Sequence, residues 1–278
     1  MCIRDRSDFG RSAVRAYTLA TTPPMAPVLL VLDAKLQKGA ADNPPRVPKI
    51  SLPKFPSADI ESVREIARLL LAAENPRINT GQVARTQEGL DLLVELAELL
   101  QVPVNGVTNR LNFPSRHPLQ GTGTGTPDLI LNLEPGSRVG TSPSSPRSTG
   151  RPSQMPDSEN LTTITISSAE FLATSNFNVF GNGAGNADLV IAADAQSTLP
   201  ALIEEVRRLM TSDRKAFLQD RGTKIANAHL RARRRTITDA RYGWNNSPVS
   251  LPRLAAEVWP HIKELDWSFV SPQRLSLI

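Results

Sequence analysis

The hydrophobic residues between positions 59 and 210 follow two alternating patterns. Short apolar runs such as DLILNL and DLVIA are typical of strands buried on both faces of a parallel sheet. Apolar residues spaced by three or four positions separate some of these runs and indicate amphipathic helices. The predicted strands are residues 77–80, 102–107, 128–133, 161–167 and 188–192, and the predicted helices are residues 60–74, 86–100 and 198–210.

This order of short strands and helices predicts the fold class. Strands that alternate with helices form parallel sheets, because each crossover returns the chain to the same edge of the sheet. We therefore predict an α/β fold with a doubly wound, mainly parallel, Rossmann-like sheet and helices on both faces. Ser57 or Asp59 is expected to cap the helix that starts at residue 60. Asp194 is expected to end the last strand.

The segments on either side of this domain contain isolated elements. Residues 8–20 fit the end of a helix, and the five apolar residues at 28–32 predict a strand buried on both faces. Five prolines between residues 39 and 58 exclude regular structure there, because proline lacks the backbone N–H and restricts its predecessor. The remaining predicted elements are a polar helix at 211–241, a helix capped by Ser250 and a strand at 266–270.

Composition excludes several classes of protein. With 40% hydrophobic but only 5% aromatic residues, the core is expected to consist mainly of Leu, Ile, Val and Ala. The single cysteine, Cys2, excludes an internal disulfide and a cysteine-rich metal site. No apolar run reaches the roughly 18 residues of a membrane-spanning helix, and no apolar stretch follows the charged N-terminus as in a signal peptide. We expect a cytoplasmic protein without a membrane partner.

The positive charge is concentrated in one short stretch. The net charge is +5, and residues 231–235 read RARRR. Such a cluster is compatible with a nucleic-acid patch or with the solvated face of a helix. Because no aromatic residue is interleaved to stack on bases, we favour the helix face and expect no nucleic-acid partner.

The first seven residues, MCIRDRS, resemble translated sequencing-adapter sequence joined to assembled environmental reads. Residues 1–7 are therefore treated as a non-native stub and left out of the fold prediction. The natural chain is then expected to begin further upstream.

Two glycine-rich stretches invite interpretation as phosphate-binding loops. The first, GTGTGT at 121–126, has no following lysine, as a Walker loop requires, and precedes Pro127 and a strand instead of a helix. The second, GNGAG at 181–185, also precedes a strand. Both are better explained as flexible loops. The segment 134–159 is rich in Ser, Pro, Gly and Arg, and is predicted to be a mobile loop that proteases cleave first.

Three sequence segments together resemble one enzyme family. The order of elements from IARLLLAAENPRINTGQVAR to PDLILNL resembles the central domain of thiamine-diphosphate-dependent enzymes, the family of acetolactate synthase, pyruvate decarboxylase and benzaldehyde lyase. PVLLVLDAKLQ resembles the last strand of that family's pyrimidine-binding domain. SPVSLPRLAAEVWPHIKELDWSFVS resembles the start of its diphosphate-binding domain.

The resemblance implies a division of the chain into parts. Residues 8–38 correspond to the tail of the pyrimidine-binding domain and residues 39–58 to a proline-rich linker. Residues 59–212 correspond to the central domain. Residues 213–250 correspond to a helical linker, and residues 251–278 to the start of the diphosphate-binding domain.

The resemblance also implies a function for the parent enzyme. It is expected to be a lyase or transferase that uses thiamine diphosphate and Mg²⁺ to decarboxylate 2-keto acids or to form acyloins, as a homodimer or homotetramer. The family's central domain carries no catalytic residue, and the glutamate and Mg²⁺ ligands that serve the cofactor belong to the first and third domains. We therefore expect no catalytic residue in this chain and no activity of the chain alone.

A stand-alone nucleotide-binding module, for FAD or ADP, is the alternative. Gly81 ends the first strand, where ligands of α/β sheets bind; similar glycines contact flavin in FAD-binding relatives. The sequences NTGQVAR and HPLQGTGTG depart from the patterns of those relatives, which counts against FAD. Arg110, Phe113 and His117 lie in the loop after the second strand and are further candidates for the cleft. Simple loop packing with a hydrogen-bonded His117 is the favoured interpretation. A structural protein is disfavoured, because the outer strands lack their sheets.

Overall fold

The computed structural model describes residues 2–3, 8–23, 25, 27–38, 49–106, 112–121, 123, 125–135, 161–169 and 187–267. The strands are β1 (Cys2–Ile3), β2 (Val31–Leu32), β3 (Pro76–Thr80), β4 (Val104–Gly106), β5 (Leu129–Leu133), β6 (Thr162–Ile166) and β7 (Leu189–Ile191). The helices are α1 (Phe9–Thr21), α2 (Ala34–Lys38), α3 (Ile60–Ala72), α4 (Gln87–Leu100), α5 (Ala195–Leu209), α6 (Ser212–Ala240) and α7 (Leu251–Ile262).

The described part of the chain contains a five-stranded sheet with the order β4-β3-β5-β6-β7. Every neighbouring pair in this sheet is parallel. The chain passes from β3 to β4 on one side and then returns to β5 on the other side of β3. This reversal makes the carboxyl ends of β3 and β5 the topological switch point of the sheet. The predicted doubly wound parallel α/β fold is confirmed.

One face of the sheet carries the main apolar core. Ile78, Leu131 and Ile164 lie side by side on β3, β5 and β6 and have no exposed surface. They form one buried cluster with residues of α3, α4 and α5. The core is aliphatic, as the composition predicts. The segments that join β4 to β5, β5 to β6 and β6 to β7 lie largely outside the described residues.

A row of polar side chains crosses the sheet in register. The Asn79 amide donates to Asn132 Oδ1 at 3.0 Å, and the Asn132 amide donates to Thr165 Oγ1 at 3.4 Å. On the other side, the Asn105 amide donates to Asn79 Oδ1 at 3.4 Å. Each of these four side chains therefore has a hydrogen-bond partner, as the low exposure of Asn132 and Thr165 demands.

The helix starts follow the capping signals in the sequence, with one correction. Asp59 Oδ1 accepts from the backbone N–H groups of Glu61 and Ser62 at 3.1 and 2.9 Å, as predicted. The prediction that α5 begins at Thr198 is wrong, because the helix begins at Ala195. Asp194 is its N-cap and accepts from Ser197 N at 2.8 Å, so this residue starts the helix as well as following the strand.

The predicted strand at 28–32 is wrong in extent and burial. The strand is limited to Val31–Leu32, which pairs in parallel with Cys2–Ile3, inside the segment interpreted as a stub. Leu29 is 77% exposed and Val31 is 47% exposed. The physical reason is that this described sheet has only two strands, which is too few to bury both faces. Of the predicted strand at 266–270, residues 266 and 267 have no regular structure and the rest lie outside the described residues.

The long helix α6 is fastened to the amino edge of the sheet by Arg221. The Arg221 guanidinium donates to Leu100 O at 2.6 Å, Glu74 O at 2.9 Å, Gln101 O at 3.2 Å and Ala73 O at 3.3 Å. These carbonyls lie at the ends of α3 and α4, where helices leave acceptors without intrahelical donors. Burial lowers the pKa of Arg221 to about 10, so it stays charged at neutral pH.

Further along the same helix, the RARRR stretch lies in solvent. Arg231, Arg234 and Arg235 are exposed, and Arg235 lies 3.9 Å from Asp239 one turn away. This placement matches the interpretation of the stretch as a solvated helix face.

Replacing Arg221 tests how α6 is held. We expect Arg221→Met to lower the free energy of unfolding by about 2–3 kcal/mol, because buried carbonyls lose charge-assisted hydrogen bonds. Arg231→Met removes the same charge from the exposed part of the helix and should change it by less than about 0.5 kcal/mol. Urea unfolding of both variants measures the difference, and equal losses would contradict this role for Arg221.

Candidate functional site

The switch point brings together the carboxyl ends of β3 and β5, followed by Gly81 and Glu134. In open α/β sheets this position forms the crevice where ligands bind. The Gly81 N–H donates to Leu133 O and the Gln82 N–H donates to Glu134 O, both at 2.9 Å. The two strand ends are therefore bonded to each other by backbone groups beyond the last residues of the strands.

Gly81 is a glycine because the backbone directly after β5 lies against it. A Cβ atom at residue 81 would lie 1.7 Å from the carbonyl oxygen of Glu134. The Asn112 side-chain amide also donates to Gly81 O, which joins the loop after β4 to this point. Gly81 thus lies at the carboxyl end of β3, and close backbone packing accounts for its lack of a side chain.

Glu134 is the central side chain of the site, and it is 4% exposed. Its Oε1 accepts from Ser168 N at 3.0 Å and from Ala195 N at 3.2 Å. Its Oε2 accepts from Ser168 Oγ at 3.1 Å and from Ser167 Oγ at 3.2 Å. The carboxylate therefore ties the end of β5 to the turn after β6 and to the first residue of α5.

The backbone of Glu134 has an unusual conformation. Its φ is +44°, a left-handed value that non-glycine residues seldom adopt. The hydrogen bonds of the carboxylate and of the backbone on both sides hold this conformation in place. Strain of this kind persists where the surroundings over-determine it, and it often marks functional positions.

Two opposing effects act on the pKa of Glu134. Burial raises it, and the nearby Asp194 carboxylate adds to this effect, while the N–H groups of Ser168 and Ala195 lower it. The net effect raises the pKa of Glu134 above its ordinary value, because desolvation outweighs the hydrogen bonds.

A buried ion pair lies beside Glu134. Arg85 Nη2 lies 2.5 Å from Asp194 Oδ2, with the Arg85 side chain 7% exposed and the Asp194 side chain fully buried. The Asp194 N–H donates to Pro56 O at 2.9 Å, and the Arg85 guanidinium lies 5.6 Å from the centre of the Phe55 ring. The ion pair therefore anchors the end of the proline-rich segment to the carboxyl edge of the sheet.

Gln196 adds a second link between the segment after β3 and α5. Its Oε1 accepts from the backbone N–H of Arg85 at 2.9 Å, and its Nε2 donates to Thr86 Oγ1 at 3.0 Å. Thr86 is also the N-cap of α4 and accepts from Gly89 N at 3.0 Å. The starts of α4 and α5 are thus fixed relative to each other.

Phe113 and His117 pack together in the loop after β4. Their rings meet edge-to-face with centroids 4.9 Å apart, and Phe113 is 4% exposed. His117 Nδ1 accepts from Leu119 N at 3.2 Å, so Nε2 carries the proton toward Glu98 Oε1 at 3.1 Å. Both ring nitrogens therefore have hydrogen-bond partners, which agrees with the interpretation of His117 as a residue that packs the loop. Arg110 lies outside the described residues.

The residues that dominate the site were not candidates from the sequence. The prediction of a mobile loop over residues 134–159 is wrong for Glu134, because its side chain is buried and hydrogen-bonded. Residues 136–160 lie outside the described residues. The available signal was an acidic residue directly after a five-residue strand at the switch point. The pairing of Arg85 with Asp194 spans 109 positions and had no sequence signal.

Among the described residues, no group of three or more His, Cys, Asp or Glu side chains is arranged to hold a metal ion. None of the described helices is long and apolar enough to span a bilayer.

Substituting Gly81 tests the close approach of the strands. Gly81→Ala should lower the free energy of unfolding by about 3 kcal/mol or more, because the new methyl group collides with the backbone of Glu134 and Pro135. Gly106→Ala is the matched control, since a Cβ there meets no atom of the described residues within 4 Å. It should be neutral or stabilise by up to about 1 kcal/mol. Urea unfolding of the two variants measures both values.

The raised pKa of Glu134 predicts a specific dependence of the free energy of unfolding on pH. A group whose pKa is raised by folding contributes stability that is present below its unfolded pKa and is lost as pH rises through the folded pKa. Glu134→Gln keeps the shape of the side chain but does not titrate, so the variant does not lose this stability as pH rises. The free energy of unfolding of the variant, relative to the natural chain, should therefore rise from pH 4 to pH 7.

The matched control for this measurement is Glu204→Gln, which removes a charge from the exposed face of α5. Urea unfolding at several pH values should show that the difference in free energy of unfolding between this variant and the natural chain changes less with pH than the difference for Glu134→Gln. If the difference for Glu134→Gln is constant or falls as pH rises, folding does not raise the pKa of Glu134.

Comparison with known proteins supports the fold. No protein-family model and no curated protein sequence matches the chain. Solved structures do match: an enzyme from Mycobacterium smegmatis described as thiamin diphosphate-dependent has a TM-score of 0.52 and 24% identity, over 74% of this chain and 38% of that one. Benzoylformate decarboxylase from Polynucleobacter necessarius has a TM-score of 0.49 and 21% identity, over 76% of this chain and 38% of that one.

A third structure, the thiamine diphosphate-dependent 4-hydroxybenzoylformate decarboxylase of Rhodococcus jostii RHA1, has a TM-score of 0.49 and 20% identity, over 74% of this chain and 38% of that one. The chain thus spans about two fifths of the length of these proteins. At these identities the likeness concerns the fold, and the chain shares its fold with part of a thiamin diphosphate-dependent enzyme, in agreement with the resemblance of its sequence.

Proposed function

We propose that this chain comprises the central domain of a thiamine-diphosphate-dependent lyase or carboligase, together with parts of the two domains that flank it. The observation that carries the proposal is the parallel sheet of order β4-β3-β5-β6-β7, whose fold matches part of an enzyme described as thiamin diphosphate-dependent. The parent enzyme would decarboxylate 2-keto acids or form acyloins. It would be a cytoplasmic homodimer or homotetramer.

The proposal places the cofactor outside the described residues. Mg²⁺ is usually held by one or two carboxylates together with phosphate oxygens and water, in octahedral geometry. The catalytic glutamate and the Mg²⁺ ligands would belong to the missing parts of the first and third domains. The cofactor would supply the electron sink for the reaction.

The residues of this chain would act as a scaffold. At the carboxyl edge, the Ala58 N–H donates to Thr198 Oγ1 at 3.0 Å and fixes the end of the proline-rich segment on α5. At the amino edge, Arg221 fixes the start of the helical linker. The Arg116 guanidinium lies 5.2 Å from the centre of a Trp259 ring in α7, which joins α7 to the loop after β4. The central domain would thereby hold both flanking domains in place.

A nucleotide-binding module is the second candidate function. The observation that favours it is the position of Gly81 at the switch point of a parallel sheet, where nucleotides bind in folds of this class. The packing of Glu134 against the same point counts against it.

Activity assays test the proposal. We expect the chain as given to show neither binding of thiamine diphosphate and Mg²⁺ by calorimetry nor turnover of pyruvate or benzaldehyde, because under this proposal the groups that position the cofactor belong to other parts of the parent enzyme. A longer reading frame that contains this chain should show both. Micromolar cofactor binding by the chain alone would refute the division into domains, and failure of the longer protein to bind would refute the family assignment.

A further inference from the structure

The start of α5 has the features of an anion site. Its first N–H groups have no intrahelical acceptor, and the helix dipole adds partial positive charge at this end. In nucleotide-binding α/β proteins, phosphate groups bind between a strand end and the start of a helix at the carboxyl edge of the sheet. Here the Ala195 N–H points to the end of β5, beside the switch point.

That position already contains a carboxylate. The two oxygens of Glu134 accept from two backbone N–H groups, of Ser168 and Ala195, and from two hydroxyl groups, of Ser167 and Ser168, at 3.0–3.2 Å. Four donors that converge on one anionic group are the arrangement expected around a bound carboxylate or phosphate. The side chain that fills it is 4% exposed and comes from the chain itself.

The neighbouring charges do not favour a second anion. Asp194 is fully buried at the cap of the same helix, and its partner Arg85 lies 2.5 Å away. The positive charge of Arg85 is thus already matched by Asp194. An incoming phosphate would meet two carboxylates in a buried setting, where like charges repel strongly.

We propose that Glu134 is an internal occupant of the anion position at the start of α5, and that it closes the switch-point crevice to the phosphates of nucleotides. The Glu134 side chain fills the space at the start of α5, and its carboxylate accepts the hydrogen bonds that a bound anion would otherwise accept. Its removal would leave a site for a small carboxylate or for phosphate. The proposal concerns the ligand preference of this crevice and does not depend on the parent enzyme's reaction.

Chemical rescue is the direct experiment. Glu134→Gly removes the side chain and also suits the left-handed backbone. We expect this variant to have a lowered Tm that acetate or inorganic phosphate raises by about 2–4 °C at concentrations several times the Kd, relative to chloride at equal ionic strength. Glu134→Gln keeps the space filled, and Glu204→Gln removes an exposed charge from the same helix. Acetate should raise the Tm of these two variants no more than it raises the Tm of the natural chain.

A titration that needs no variant makes the proposal testable even if Glu134→Gly does not fold. Calorimetry of the natural chain with ADP and with FAD should show no binding in the micromolar range. Micromolar binding by the natural chain, or a folded Glu134→Gly variant whose Tm ignores both acetate and phosphate, would overturn the proposal. Neither result bears on the family assignment, which the cofactor assays on the longer reading frame test separately.

Discussion

The described fold depends on the contact between two backbones at the switch point. Gly81 and Glu134 approach so closely that no side chain fits at residue 81, and the hydrogen bonds of Gly81 and Gln82 join β3 to β5 beyond the strands themselves. The Glu134 N–H donates to Ile166 O at 2.9 Å, which continues the connection to β6. Separating the strands here would disturb three strands and, through the carboxylate, the start of α5.

The two edges of the sheet use the helix ends in opposite ways. At the amino edge, the carbonyl ends of α3 and α4 carry partial negative charge, and they bind the guanidinium of Arg221. At the carboxyl edge, the N–H end of α5 carries partial positive charge, and it binds the carboxylate of Glu134. In both cases a charged side chain from a distant part of the sequence satisfies the groups that a helix end leaves open.

This use of the helix ends bears on function. A binding domain leaves a helix start at the carboxyl edge available to a ligand, whereas here the side chain of Glu134 accepts from the first N–H group of α5. The Arg85–Asp194 pair likewise serves to attach the proline-rich segment, through Pro56 and Phe55. Because these polar groups bind one another, they support the proposal that the domain holds neighbouring segments of a larger enzyme in place.

The sequence by itself determined the elements and the class of fold. The sequence pattern located β3 to β7 within about two residues, and Asp59 and Ser250 marked helix starts, because these signals depend on neighbouring residues. Only the tertiary structure decided the burial of Glu134, the partner of Arg85 and the acceptors of Arg221. These depend on which distant segments meet, and a charged residue has the same local signal whether it faces water or a buried helix end.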